Sequence, residues 1–97
     1  MSVLIHLVSF KYRADIGDDL RRQHRDRLAT LRTIEGVLDL KVGADVVRSP
    51  RSYDTGLLVT FADRAALDAY QKNPQHVPVA QFGVSIAEQI VAVDFEM

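Results

Sequence analysis

Two strand-like segments of this sequence are apolar on both faces, and this feature constrains the fold more than any other. They run from Val3 to Tyr12 and from Ile90 to Phe95, and both are rich in β-branched and aromatic residues. Side chains alternate between the two faces of a strand, so each segment presents two rows. In the first segment Val3, Ile5 and Leu7 form a purely apolar row, and the other row, Leu4, His6, Val8 and Phe10, contains a single polar residue. Both faces of the sheet therefore need a cover.

The other segments supply two β-α-β units. Asp15 is a candidate N-cap for the first helix, Gly36 a C-cap glycine, and Asp63 a cap for the second helix, which Pro74 ends. The predicted elements are strands over 3–12, 37–47, 53–61 and 90–95, and helices over 18–33, 63–72 and 79–86. Gly43 and Gly56 are isolated in strands, which indicates bulges or close approaches.

Two such units predict an α+β domain with a ferredoxin-like split βαβ topology: an antiparallel four-stranded sheet with its helices on one face. We expect the purely apolar rows to pack under the helices. The second rows, which include His6 and Asp94, then face the other way. A second copy of the same sheet is the simplest cover, so the pattern predicts a homodimer whose sheets form one dimeric α/β barrel with both residues inside it.

Composition narrows the functional class. The 97 residues correspond to one domain, 1–97, and a net charge of −1 gives no field that would attract nucleic acid or a membrane. The chain has no cysteine, which excludes disulfides and thiolate sites and fits a reducing, cytoplasmic location. The N-terminal segment does not resemble a signal peptide, and no apolar run is long enough for a membrane span.

Arginines alternate with aspartates on the first helix, which predicts a solvated face with His24 at the surface.

Few residues suggest chemistry. The three histidines are not at metal-ligand spacing, so we expect no metal and no cofactor. The segment Asn73-Pro74-Gln75-His76 ends a helix and presents a histidine from a turn that can aim it into a cavity. Tyr70 precedes it at the end of the helix and is equally explained as a packing residue. A lone histidine on an apolar strand, such as His6, is more often structural than catalytic.

In order along the chain, these segments resemble a known family. The first-strand segment from His6 to Lys11 is similar to the signature of the stress-responsive A/B barrel family, a histidine followed five residues later by lysine. The resemblance covers nearly the whole chain and continues through Gly36-Val37, Val42-Gly43-Ala44-Asp45, Tyr53-Asp54, Thr60-Phe61, Ala66-Leu67-Asp68-Ala69-Tyr70 and Pro74-Gln75-His76. It implies a ferredoxin-like dimer whose two sheets form one barrel.

One branch of that family, the plant polyketide cyclases of the olivetolic acid cyclase type, resembles this chain at four positions. They are His6, Tyr70, His76 and Asp94, and the chain departs from the branch at Asn73, where the cyclase has histidine. The resemblance implies cofactor-independent acid–base chemistry with His76 as base, Asp94 hydrogen-bonded to it, Tyr70 as oxyanion donor and His6 as a second polar group. The residues that line the pocket differ from those of the cyclases, so the resemblance does not identify a substrate for this chain.

Three functions stay open at this point. The first is a cofactor-independent cyclase, lyase or isomerase acting on a small carbonyl or polyketide-like compound. The second is a non-catalytic stress-response or ligand-binding dimer in which the same residues are structural. The third and weakest is a cofactor-free monooxygenase of the antibiotic-biosynthesis type, which shares the dimeric fold. Fold analogy alone does not choose among them.

Overall fold

A computed structural model describes residues 2–97 as one four-stranded sheet packed against three helices. Two β-α-β units supply the elements, as the sequence predicts, with one additional helix in the second unit. In chain order the elements are β1 (Leu4–Tyr12), α1 (Asp18–Ala29), a 3₁₀ turn (Thr30–Thr33), β2 (Val37–Ala44), β3 (Thr55–Phe61), α2 (Arg64–Lys72), α3 (His76–Ile86) and β4 (Ala87–Glu96).

The sheet is antiparallel throughout, with strand order β2-β3-β1-β4. The two β-α-β units thus interleave, so that β1 lies between β3 and β4. The three helices cover one face of the sheet, which confirms the predicted ferredoxin-like α+β fold. Leu31, Val59 and Phe61 have no exposed surface and lie at the centre of the core between sheet and helices.

Capping explains most of the helix boundaries. The carboxylate of Asp63 accepts a hydrogen bond from the backbone N–H of Ala66 at 2.9 Å, which confirms it as the N-cap of α2. Gly36 adopts a φ of 96°, a conformation that glycine reaches without strain, where the chain turns into β2. The prediction for Asp15 was wrong: Gly17 precedes α1, and no side chain caps it.

Three local predictions need correction. The strand predicted over 37–47 ends at Ala44, and Val46 is 90 % exposed in the loop that follows. Gly43 and Gly56 lie opposite each other in regular register, and a Cβ at either would meet nothing within 4 Å. They therefore mark neither a bulge nor a close approach. The bulge in β2 lies between Val37 and Asp39 instead.

The predicted orientation of the sheet was wrong. His6 is buried on the helix-covered face with Val8 and Phe10, and its cross-strand neighbour Asp94 lies on that same face. The purely apolar row, which the prediction assigned to the helices, faces away from them. On that open face Leu7, Val91, Val93 and Phe95 are each 37–53 % exposed. The error came from assuming that the most apolar row must pack on helices, whereas the helix side holds a polar cluster.

Candidate functional site

A cavity of about 260 Å³ lies between the sheet and the three helices. Its polar side chains belong to β1, to the end of α2 and to the beginning of α3, and the remainder of its lining is aliphatic or aromatic. The lining residues are His6, Val8, Phe10, Leu28, Leu31, Leu57, Tyr70, Gln71, His76, Val79, Ala80, Val84, Ile90 and Ala92. None of them carries a lysine, arginine or carboxylate side chain. Exposed Val84 and Ile90 lie on α3 and β4, so the cavity opens between these two elements.

His6 and Asp94 are brought together by the sheet itself. They lie directly opposite each other on β1 and β4, on the same face, and Nδ1 of His6 is hydrogen-bonded to the Asp94 carboxylate. The prediction that Asp94 is hydrogen-bonded to His76 was therefore wrong, because the partner of Asp94 is His6. Strand register explains why: a residue directly across an antiparallel pair is closer than one on a helix above the sheet.

Tyr70 occupies the last turn of α2 and has no exposed surface. Its ring packs edge-on against Phe61 at 5.0 Å and against His6 at 6.2 Å between centroids. Within residues 2–97 the buried hydroxyl has no hydrogen-bond partner. Burial disfavours the phenolate and raises the pKa of Tyr70 to about 12. The hydroxyl is thus a neutral donor available to a ligand.

His76 is the first residue of α3, immediately after the turn that Pro74 sets. Its ring lies 4.5 Å from the ring of Tyr70, and its Nδ1 is buried with no partner in the described part of the chain. Burial lowers the pKa of His76, the nearby backbone of Gln71 raises it, and the neighbouring imidazole of His6 lowers it. His76 is therefore held neutral at neutral pH.

The structure thus places His6, Tyr70 and His76 at one end of the cavity and Asp94 beside His6, although in a different pairing. An unsatisfied buried polar atom costs about 1–3 kcal/mol, so two of them at one place indicate a site that a ligand or water completes. Tyr70 offers a donor and His76 a ring nitrogen, while the imidazole of His6 is tethered by Asp94. Such a set can bind a carbonyl oxygen and move a proton.

A second buried polar cluster was missed by the sequence analysis. His24, predicted at the surface, is fully buried, and its Nδ1 lies 2.7 Å from the hydroxyl of Tyr12, which donates to Thr55 at 2.9 Å. Burial, together with nearby Arg25 and Arg27, lowers the pKa of His24 to about 4. The helical spacing of Leu20, His24 and Leu28 was the available signal. This cluster does not line the cavity.

The arginine-rich face of α1 is only partly solvated, in contrast to the prediction. Arg22 pairs with Asp19 at the surface at 2.9 Å. Arg27, however, lies over the ring of Phe82 at 4.2 Å, and Arg21 lies over Tyr12 while approaching Asp54 at 3.5 Å. Their charged ends thus fix aromatic residues rather than forming a free basic surface.

Residues 2–97 include no group of three or more histidine, cysteine, aspartate or glutamate side chains placed to hold a metal ion. In the same range, none of the helices has the length and apolar character needed to cross a membrane.

The fold and the site define a ferredoxin-like domain with a cavity between helices and sheet. The chain belongs to the stress-responsive A/B barrel domain family, whose model matches residues 4–97. Comparison with curated proteins gives no match.

Solved structures share the fold over nearly the whole chain. A dimeric ferredoxin-like protein of unknown function from Thermobifida fusca has a TM-score of 0.90 and 22 % identity, over 99 % of this chain and 92 % of that one. Another from Jannaschia sp. has a TM-score of 0.82 and 27 % identity, over 98 % and 99 %. The hydroxynitrile lyase from Passiflora edulis has a TM-score of 0.88 and 16 % identity, over 98 % and 93 %. These likenesses support the fold, and two of the three proteins are described as dimeric.

Proposed function

We propose that this protein is a cofactor-independent acid–base enzyme, a cyclase, lyase or isomerase, that acts on a small neutral carbonyl compound. One observation carries the proposal: the unpartnered Tyr70 hydroxyl and His76 Nδ1 lie beside the His6–Asp94 pair at one end of a largely apolar cavity. A neutral substrate follows from the lining, since the cavity offers no cationic side chain to a carboxylate or phosphate.

The observed pairing changes the roles implied by the resemblance. His6 is the base, because Asp94 holds one ring nitrogen and stabilises the imidazolium while the other ring nitrogen is left for the cavity. Tyr70 donates to the carbonyl oxygen and stabilises the enolate that forms. His76, held neutral by burial, accepts a hydrogen bond from a hydroxyl of the substrate at Nδ1.

The competing function is a ligand-binding dimer without catalysis. The apolar lining and the two unpartnered atoms serve binding as well as chemistry. A neighbour of the same fold is a hydroxynitrile lyase, which supports a scaffold able to host a lyase. Shared fold does not transfer activity, so a direct test of proton abstraction is required.

Exchange of α-hydrogens for deuterium in D₂O tests acid–base chemistry before the natural substrate is identified. Neutral ketones with an acidic α-hydrogen, phenylacetone first, are incubated with the protein and followed by proton NMR. We expect protein-dependent exchange that Tyr70→Phe and His6→Asn abolish. Tyr53→Phe is the matched control, because Tyr53 is bonded to Gln89 outside the cavity. Binding of probes in the cavity without any exchange would favour the non-catalytic alternative.

We further propose that the working unit is a homodimer joined through the open face of the sheet. The apolar row of Leu7, Val91, Val93 and Phe95 is uncovered in one copy. A second copy related by a two-fold axis would cover it with the same row. Dimeric neighbours of the same fold support this arrangement.

A further inference from the structure

The His6–Asp94 pair lies in the wall between two spaces. On one side is the cavity, which His6 lines. On the other is an open groove of about 350 Å³ that Asp94 lines and that Arg64, Leu67 and Glu96 also border. The His6 side chain is 9 % exposed and that of Asp94 is 38 % exposed, so the pair joins an enclosed side to a solvated one.

We propose that this pair is a proton relay that connects the cavity with water in the groove, a role that rests on the proposed acid–base function. The α-carbon of the substrate gives a proton to Nε2 of His6, and the electron pair of the C–H bond stays on the substrate as an enolate. Nδ1 of the imidazolium passes its own proton to the Asp94 carboxylate. Asp94 releases that proton to groove water, which leaves Asp94 ionised and His6 neutral with its proton on Nε2 instead of Nδ1. Reprotonation of the enolate follows the same path inward.

The position of a bound substrate explains why a proton path through Asp94 would be needed. Exposed Val84 and Ile90 border the cavity at its apolar end, and exposed Gln71 borders it at the end that holds the histidines. A bound substrate occupies the space between the apolar end and the base. A substrate in contact with Nε2 displaces water from that nitrogen, whereas the other ring nitrogen is bonded to Asp94, which borders the solvated groove.

The groove also provides a matched control. Asp68 borders it too, but its carboxylate accepts a hydrogen bond from Arg64 at 2.9 Å rather than from a histidine. A substitution at Asp68 therefore changes the charge of the groove by the same amount without touching the His6 imidazole. Asp68→Asn therefore controls for the loss of one negative charge from the groove.

The test measures how fast the imidazole N–H of His6 exchanges with water, using nitrogen-15 NMR of the whole protein. Asp94→Asn retains an oxygen that accepts the Nδ1–H hydrogen bond but cannot take the proton. We expect it to slow the exchange by roughly 100-fold, in the range of general acid–base effects, and Asp68→Asn to leave the rate nearly unchanged. Asp94→Ser provides a second variant and must slow the exchange as well.

Equal rates in the wild type and Asp94→Asn would overturn the relay, as would equal slowing by Asp68→Asn. The measurement needs no substrate, so it is separate from the ketone exchange test. Failure of every ketone to exchange with the wild-type protein, combined with a slowed imidazole in Asp94→Asn, would remove the enzymatic function and leave the proton path. Ketone exchange by the wild-type protein, combined with an unchanged imidazole exchange rate in Asp94→Asn, would support the enzymatic function and rule out the proton path.

Discussion

Nε2 of His24 lies so near α3 that a Cβ at position 83 would be only 2.9 Å from it. Gly83 is therefore the residue that lets α3 pack onto the buried imidazole. The ring cannot move away easily, because Phe10 packs against it at 4.8 Å and Tyr12 at 5.6 Å. This contact fixes the distance between α1 and α3.

Gly83→Ala should lower the free energy of unfolding by about 1–3 kcal/mol through overpacking. In a helix interior the same change normally stabilises by up to about 1 kcal/mol, so the sign itself is diagnostic. Urea unfolding of the single variant and of Gly83→Ala combined with His24→Ser separates the two effects. The double variant should regain the helix-propensity benefit relative to His24→Ser alone. A stabilising single variant would show that His24 does not occupy this position.

Buried His24 should make the fold sensitive to acid. Its pKa of about 4 lies below the ordinary value of 6.5, so the unfolded chain binds the proton more tightly than the folded chain. Stability is therefore fully present above pH 6.5 and decreases as the pH falls from 6.5 toward 4. The total loss is about 3 kcal/mol, which corresponds to the shift of the pKa.

Unfolding measured in urea between pH 7 and pH 4 checks this expectation. His24→Asn should flatten the decrease relative to wild type, although it lowers stability at pH 7. His76→Asn serves as the comparison, because burial also lowers the pKa of His76 and adds to the slope in the same direction. An unchanged slope in His24→Asn would contradict a buried neutral imidazole.

Dimerisation through the open face can be tested with one charge. Val93 is 53 % exposed at the centre of the apolar row, and Val93→Asp should place a carboxylate in the proposed interface. Sedimentation of the wild type at micromolar concentration should give twice the chain mass of 10.9 kDa, and the variant should sediment as a monomer. Leu20→Asp, on the helical side of the molecule, is the control and should stay dimeric. A monomeric wild type would contradict the barrel.

The sequence predicted the order and type of the elements well, because hydrophobic periodicity and the Asp63 cap are local signals. The family resemblance, not the periodicity, supplied the four residues that lie near one another in the structure. The sequence could not predict that His6 pairs with Asp94, since this depends on the register between β1 and β4. The burial of His24 was missed because the arginines and aspartates around it indicated a solvated face, although its spacing from Leu28 places both on one side of α1. The inverted sheet had a related cause. Apolar content alone does not distinguish a face that packs on helices from one that a partner covers.

Tyr70→Phe should leave the folded protein at least as stable while removing its proposed chemistry. The hydroxyl of Tyr70 is buried with no partner among residues 2–97, so its removal relieves a penalty of about 1–3 kcal/mol in the free energy of unfolding. Tyr12→Phe is the matched control, because that hydroxyl lies 2.7 Å from His24 and 2.9 Å from Thr55. We expect Tyr12→Phe to lower the stability of the protein and to retain ketone exchange. We expect Tyr70→Phe to retain or raise the stability and to abolish ketone exchange. Thermal unfolding and deuterium exchange on the same two preparations give both comparisons. Loss of stability in Tyr70→Phe with retained exchange would show that the hydroxyl is structural and that the proposed oxyanion donor is wrong.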